Sequence, residues 1–147
     1  MGLRRKAREA SLQLLYEIDL GHKDAQKVLD REAYPWIDQV TQEEEPPENL
    51  PQIEEFARQI VEGVSRNVRE IDQLIESHST HWKISRMALV DRNILRMAVF
   101  EILYCEDIPP SVSINEAIEI AKRFGTEESG SFINGVLDHI AKDLKKV

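Results

Sequence analysis

The spacing of apolar residues predicts a helical chain. Small and apolar side chains recur at every third or fourth position from Ala7 to Ile18, which places them on one face of a helix. Gly21 is the kind of residue that ends such a helix. A short second helix is predicted from Asp24 to about Glu32, and the alternating pattern of a β-strand is nearly absent.

The clearest apolar stripe begins at Pro51 and continues to about Ser77, which predicts one long amphipathic helix. A connector follows, and we expect the side chain of Trp82 to pack inward there as an anchor. Residues 90–107 are apolar on nearly every side, so this segment is predicted to be the central helix. Two prolines at 109–110 end it.

Two more helices complete the prediction. Ser113 and Glu116 have the spacing of a capping box, so a helix is predicted to begin at Ser113. Thr126 is predicted to cap the last helix, whose apolar stripe covers 133–144. Gly135 lies inside that helix, where glycine costs about 1 kcal/mol relative to alanine. We therefore expect another helix to approach closely at Gly135.

These elements predict an all-α fold of about seven helices, with an N-terminal half (1–78) packed on a C-terminal half (79–147). The length of 147 residues fits a single domain. Residues 38–55 contain seven acids, no base and three prolines, so an extended, mobile loop is expected there.

Charge is divided unevenly along the chain. The net charge is −8, but the first eight residues hold four positive charges and the rest of the chain carries −12. The four are Arg4, Arg5, Lys6 and Arg8. The planar donor fork of arginine matches phosphate oxygens and stacks on bases. With Tyr16 two turns further along, the pattern is typical of proteins that hold single-stranded RNA.

A solvated N-terminal tail is the alternative interpretation of this basic cluster. Positive charge at a helix N-terminus costs a few tenths of a kcal/mol, which indicates another purpose, yet composition alone leaves both interpretations open. The start of the last helix also has two interpretations. Its small residues Ser129, Gly130 and Ser131 can expose amides to an anion, or they can serve as a cap and as packing.

The sequence contains no pattern that indicates an enzyme. His78 and His81 are spaced for a metal on a helix, but no Cys or third His lies nearby, which favours a solvated pair. Cys105 stands alone in an apolar stretch, so it is predicted to be a small buried side chain. No apolar run approaches the roughly 20 residues of a membrane span. We therefore expect a cytoplasmic protein without metal, cofactor or membrane partner.

Three blocks of the chain resemble the NusB family of transcription antitermination factors. They are "RRKAREASLQLLYEIDL" at 4–20, "WKISRMALVDRNILRMAVFEILY" at 82–104 and "DIPPSVSINEAIEIAKRFGTEESGSFINGVLDHIA" at 107–141, and together they cover about half of the chain. The resemblance implies a helical, non-enzymatic protein that binds boxA RNA together with the ribosomal protein NusE. It also implies that the protein acts as part of the transcription elongation complex, notably in ribosomal RNA operons.

The resemblance assigns roles to particular residues. It places RNA binding on Arg4, Arg5, Lys6, Arg8, Tyr16, Glu128 and Phe132. It places Asp91 toward the ribosomal partner. One position departs from the family, which usually reads S-G-K-F where this chain has Ser129-Gly130-Ser131-Phe132, so a lysine is replaced at Ser131.

Two other functions are compatible with the sequence. Related helical domains are fused to RNA cytosine methyltransferases, so the chain is alternatively an accessory module of such an enzyme. A protein-interaction scaffold is the third interpretation, with the basic residues as a tail. Whether the chain forms a homodimer is open at this stage.

Overall fold

The computed structural model describes residues 2–30, 50–80 and 82–144, and within these ranges the chain is helical without strands. The predicted all-α fold is therefore confirmed. The loop predicted at 38–55 lies mostly outside the described residues. The described helices are α1 (Leu3–Gly21), α2 (Ala25–Leu29), α3 (Leu50–Arg66), α4 (Val68–Ser77), α5 (Leu89–Tyr104), α6 (Pro110–Phe124) and α7 (Ser129–Asp143).

The two ends of α1 differ in how they are formed. Gly2 precedes the helix without a side-chain cap, and no acid lies in the first turn. At the other end His22 takes the left-handed conformation, with φ 50° and ψ 43°. His22 and not Gly21 is therefore the residue that turns the chain, before Asp24 caps α2 by accepting from the amide of Gln26.

The long helix predicted to end at about Ser77 is two helices. The break lies at Asn67, whose side-chain amide donates to the carbonyl oxygen of Gly63 at 2.8 Å. A side chain that satisfies a backbone carbonyl in this way competes with the helical hydrogen-bond ladder. Gly63 itself is required by packing, since a Cβ at this position would collide with the ring of Phe100 on α5.

The predicted central helix is α5, which packs against α1, α3, α4, α6 and α7. The capping box predicted at Ser113 is wrong, because α6 begins three residues earlier with Pro110 in its first turn. Proline suits that position because the missing N–H would have no helical partner there. Ser113 is instead buried inside the first turns of α6, with its hydroxyl aimed at α5.

The last helix also differs from its prediction. It begins at Ser129, and Thr126 does not cap it; the amide of Thr126 instead donates to the hydroxyl of Ser129 at 2.9 Å. The close helix approach expected at Gly135 is wrong for the described part of the chain, where no atom lies within 4 Å of a Cβ built there. Gly135 faces outward on α7.

The core is one continuous cluster of buried apolar side chains from α1 to α7. Helix α1 packs on both α3 and α5, so it joins residues of the two predicted halves. The division into halves at 78 stays a prediction. Among the described helices, none is long and apolar enough to cross a membrane.

Candidate nucleic-acid interface

The basic end of α1 lies against the segment that joins α5 to α6. Arg4 donates to Asp107 in that segment at 3.0 Å, and 53% of the Arg4 side chain is exposed. Arg5 donates through Nε to Glu116 on α6 at 2.6 Å, with 34% of its side chain exposed. Hydrogen bonding to Glu116 raises the pKa of Arg5, a side chain that is protonated at neutral pH in any environment.

Arg8 pairs in a different environment. Its Nε and one terminal nitrogen donate to the two oxygens of Glu101 at 2.8 Å and 2.7 Å. The side chains of Arg8 and Glu101 are only 4% and 2% exposed. The hydroxyl of Ser113 on α6 donates to the same carboxylate at 2.8 Å. Three helices therefore meet at one buried, charged hydrogen-bond cluster, which we call the Arg8 cluster.

Exposure falls along the first turns of α1, from Arg4 through Arg5 to Arg8. Both Arg4 and Arg8 also lie over the ring of Phe56 on α3, at 4.9 Å and 5.4 Å from its centroid. Lys6 is half-buried on the same helix. The guanidinium groups of Arg4 and Arg5 are thus partly exposed to solvent, whereas that of Arg8 is buried between the helices.

The opposite end of α1 is fixed by a second set of charges. Asp19 accepts two hydrogen bonds from Arg92 at 2.7 Å, one from Asn93 at 2.9 Å and one from Arg96 at 3.0 Å. Burial raises the pKa of Asp19, but these donors outweigh it and the pKa is lowered overall. Helix α1 is therefore tied to α5 near both of its ends.

A pocket of about 300 Å³ brings three other predicted site residues together. Asp91 in the first turn of α5 lines it with Glu128 and Phe132, which flank the start of α7. Trp82 and Arg86 line it as well. The expectation that Trp82 packs inward is wrong, because 51% of its surface is exposed at this pocket.

A wider groove of about 590 Å³ runs beside this pocket, between α6 and α7. Ser131 and Lys122 line it, and Ser131 is exposed at the position of the usual family lysine. Tyr16 is 37% exposed on α1. Within the ranges described, no group of three His, Cys, Asp or Glu side chains is arranged to hold a metal ion.

Comparison with known proteins decides the family. The NusB family profile matches residues 5–142. The transcription antitermination protein NusB of Myxococcus xanthus is 45% identical over 146 residues, which is 99% of both chains. The protein of the same name from Pelotomaculum thermopropionicum is 48% identical over 95% of this chain and 89% of its own. The chain belongs to the NusB family.

Solved structures agree with this membership. NusB of T. maritima superposes with a TM-score of 0.77 at 36% identity, covering 97% of this chain and 95% of its own. A crystal structure of antitermination factors NusB and NusE in complex with double-stranded RNA gives a TM-score of 0.77 at 26% identity, covering 97% and 98%.

The residues that the NusB resemblance singled out lie in two places. Four are on α1 (Arg4, Arg5, Lys6 and Arg8), with Tyr16 further along the same helix. Three line the pocket between α5 and α7 (Asp91, Glu128 and Phe132), which includes no described residue of α1. The structure offers almost no surface of Arg8 to a phosphate, because its guanidinium is held inside the Arg8 cluster.

Sequence reasoning missed Glu101 and Ser113. A signal for Glu101 was present, since it is a single acid inside the apolar run 97–103 of the central helix. An acid in such a run needs a buried partner. Ser113 was assigned to a cap, which hid its role as a donor to Glu101.

Proposed function

We propose that this protein is a non-enzymatic transcription antitermination factor that binds boxA-type RNA together with the ribosomal protein NusE. The observation that carries the proposal is the match over 99% of the chain with a relative that bears the antitermination name. The relatives reported above carry this name and not that of an RNA methyltransferase, so the accessory-module alternative is not favoured.

The basic side chains at the start of α1 make the phosphate contacts in this proposal. Arg4 and Arg5 each offer charge and donors at the surface, and Lys6 adds a third cation close by. The aspartate and glutamate that hold the two arginines occupy positions that phosphate oxygens take when RNA binds. Phosphate contacts supply affinity but carry no sequence information.

Base contacts and the protein partner belong to the other surfaces. Tyr16 and Phe132 supply aromatic faces for stacking, and Glu128 supplies acceptors for base amino groups. Asp91 faces NusE, a basic ribosomal protein whose approach suits the net charge of −8. The elongation complex is then engaged through this assembly, in the bacterial cytoplasm.

A mobility-shift assay tests the proposal directly. Labelled single-stranded boxA RNA is titrated with the protein alone, with NusE alone and with both, beside a scrambled RNA and a double-stranded probe. We expect the mixture to bind boxA RNA more tightly than either protein alone, with affinity falling as salt rises. Equal binding of boxA and scrambled RNA by the mixture would contradict the proposal. Size-exclusion chromatography of the protein alone reports whether it forms a homodimer.

A further inference from the structure

The Arg8 cluster differs from every other arginine contact described on the first turns of α1. Arg8 donates two hydrogen bonds to one carboxylate, and Ser113 completes the arrangement from a third helix. Glu101 lies on the central helix between apolar neighbours that are themselves buried. A buried ion pair is weak evidence for stability, because the loss of hydration offsets most of the attraction. A bidentate arginine–carboxylate pair does add geometric specificity.

The geometry that Arg8 fixes is the rotation and axial position of α1. A bidentate fork requires its two nitrogens to face the two carboxylate oxygens, so a small rotation of α1 breaks at least one hydrogen bond. Arg4 and Arg5 precede Arg8 by about one helical turn. Their direction therefore depends on the same rotation.

We infer that Arg8 is a positioning residue that contacts no RNA and that orients Arg4 and Arg5 by clamping α1 to Glu101 on α5, whose carboxylate is held in turn by Ser113 on α6. The inference rests on the proposed function and deepens it. RNA then meets only the outer guanidinium groups. Arg8 contributes by holding those groups at a fixed spacing, which a phosphate backbone can match without reorganising the helix.

Replacing the pair in two steps tests this role. Arg8→Met leaves the Glu101 carboxylate buried without its cation, so α1 shifts and RNA binds about tenfold more weakly, the size of a coupling within one network. Arg8→Met/Glu101→Met removes both charges and restores an apolar contact between α1 and α5. We expect RNA affinity to return to within about threefold of the unmodified protein. The dependence of log K on log salt concentration keeps its slope.

A direct phosphate contact would give the opposite result. The double variant would bind as weakly as Arg8→Met, and its salt slope would be smaller by about 0.7 for the lost contact with single-stranded RNA. That result overturns the inference. The two failures are distinguishable. If the unmodified protein with NusE does not bind boxA RNA, the proposed function fails and the inference fails with it. If the unmodified protein binds and the double variant does not recover, only the inference fails.

A second measurement uses the unmodified protein and needs no variant to fold. The Nε–Hε signals of its arginines are followed by NMR while boxA RNA and NusE are added. We expect the Arg8 signal to be visible before addition, because its Nε–H is buried in a hydrogen bond, and to stay at its position. The Arg5 signal shifts. A shift at Arg8 as large as that at Arg5 would overturn the inference.

Discussion

The first turns of α1 hold arginines in two environments. Arg4 pairs with a carboxylate at the surface and Arg5 with a half-buried one, whereas Arg8, one turn later, pairs with a carboxylate inside the core. The residue type and the formal pairing are the same. The difference lies in water, which screens the outer pairs and leaves their partners exchangeable.

This difference separates binding from positioning. An exposed ion pair contributes about 0–1 kcal/mol, so a phosphate can displace Asp107 from Arg4 at little cost. Glu116 is less exposed, so its displacement from Arg5 costs more. A buried pair resists displacement, because separating it leaves an uncompensated charge in a medium of low polarity. Arg4 and, to a lesser degree, Arg5 therefore combine a permanent charge with an exchangeable partner, which Arg8 does not.

Breaking the buried pair should produce the largest effect. Glu101→Gln removes the charge that Arg8 faces, and we expect the free energy of unfolding to fall by about 3 kcal/mol. The matched control is Asp107→Asn at the exposed pair with Arg4, which should change it by less than about 1 kcal/mol. Urea unfolding followed by circular dichroism measures both. Equal losses in the two variants would remove the distinction between the environments.

Removing the outer arginines should affect binding and spare the fold. Arg4→Ala/Arg5→Ala loses two charged contacts, so RNA affinity should drop about 30-fold, or roughly 2 kcal/mol. The salt slope should shrink by about 1.4 for two phosphates of a single strand. Lys27→Ala/Lys142→Ala removes equal charge from other helices and serves as the control. A variant whose affinity and slope match this control would show that the outer arginines touch no phosphate.

The C-terminal end of α1 holds a third, half-buried charge network, in which Asp19 accepts from Arg92 and Arg96. Because the pKa of Asp19 is lowered in the fold, its ion pairs stabilise the protein above the unfolded pKa of about 3.9, and this stability is lost as pH falls through the folded value. Asp19→Asn should cost about 2 kcal/mol near pH 7 and progressively less below pH 4. Urea unfolding across this pH range measures it; a cost independent of pH would contradict the role of charge.

Most of this architecture could be predicted from the sequence, because a helix that buries one face shows a regular spacing of apolar residues close together in the chain. The apolar stripe of α3 and the all-round apolar character of α5 are both properties of neighbouring residues. Boundaries were less predictable: the break at Asn67 comes from a side chain that satisfies the Gly63 carbonyl, and the start of α6 at Pro110 looked like a stop.

Local sequence pattern could not tell which arginines of the basic cluster are buried and which are exposed. Arg5 and Arg8 have the same chemistry and neighbouring positions on one helix, and what separates them is a carboxylate 93 residues away from Arg8. Long-range burial of this kind is not encoded in spacing. The exposed Trp82 was unpredictable for the same reason, since its connector has no periodicity and its surroundings come from α5 and α7.

The smallest effect expected is a gain in binding. Asp107→Asn/Glu116→Gln keeps the size of both side chains but weakens their hold on Arg4 and Arg5, so a phosphate displaces them more easily. With the two pairs together worth at least about 0.4 kcal/mol, RNA affinity should rise at least about twofold, and most at low salt. Filter binding at two salt concentrations measures it, with Asp138→Asn/Glu62→Gln on α7 and α3 as a control that removes the same two negative charges elsewhere. If the control gains as much, general repulsion explains the effect; a gain confined to the pair variant means that these two carboxylates stand where phosphates bind.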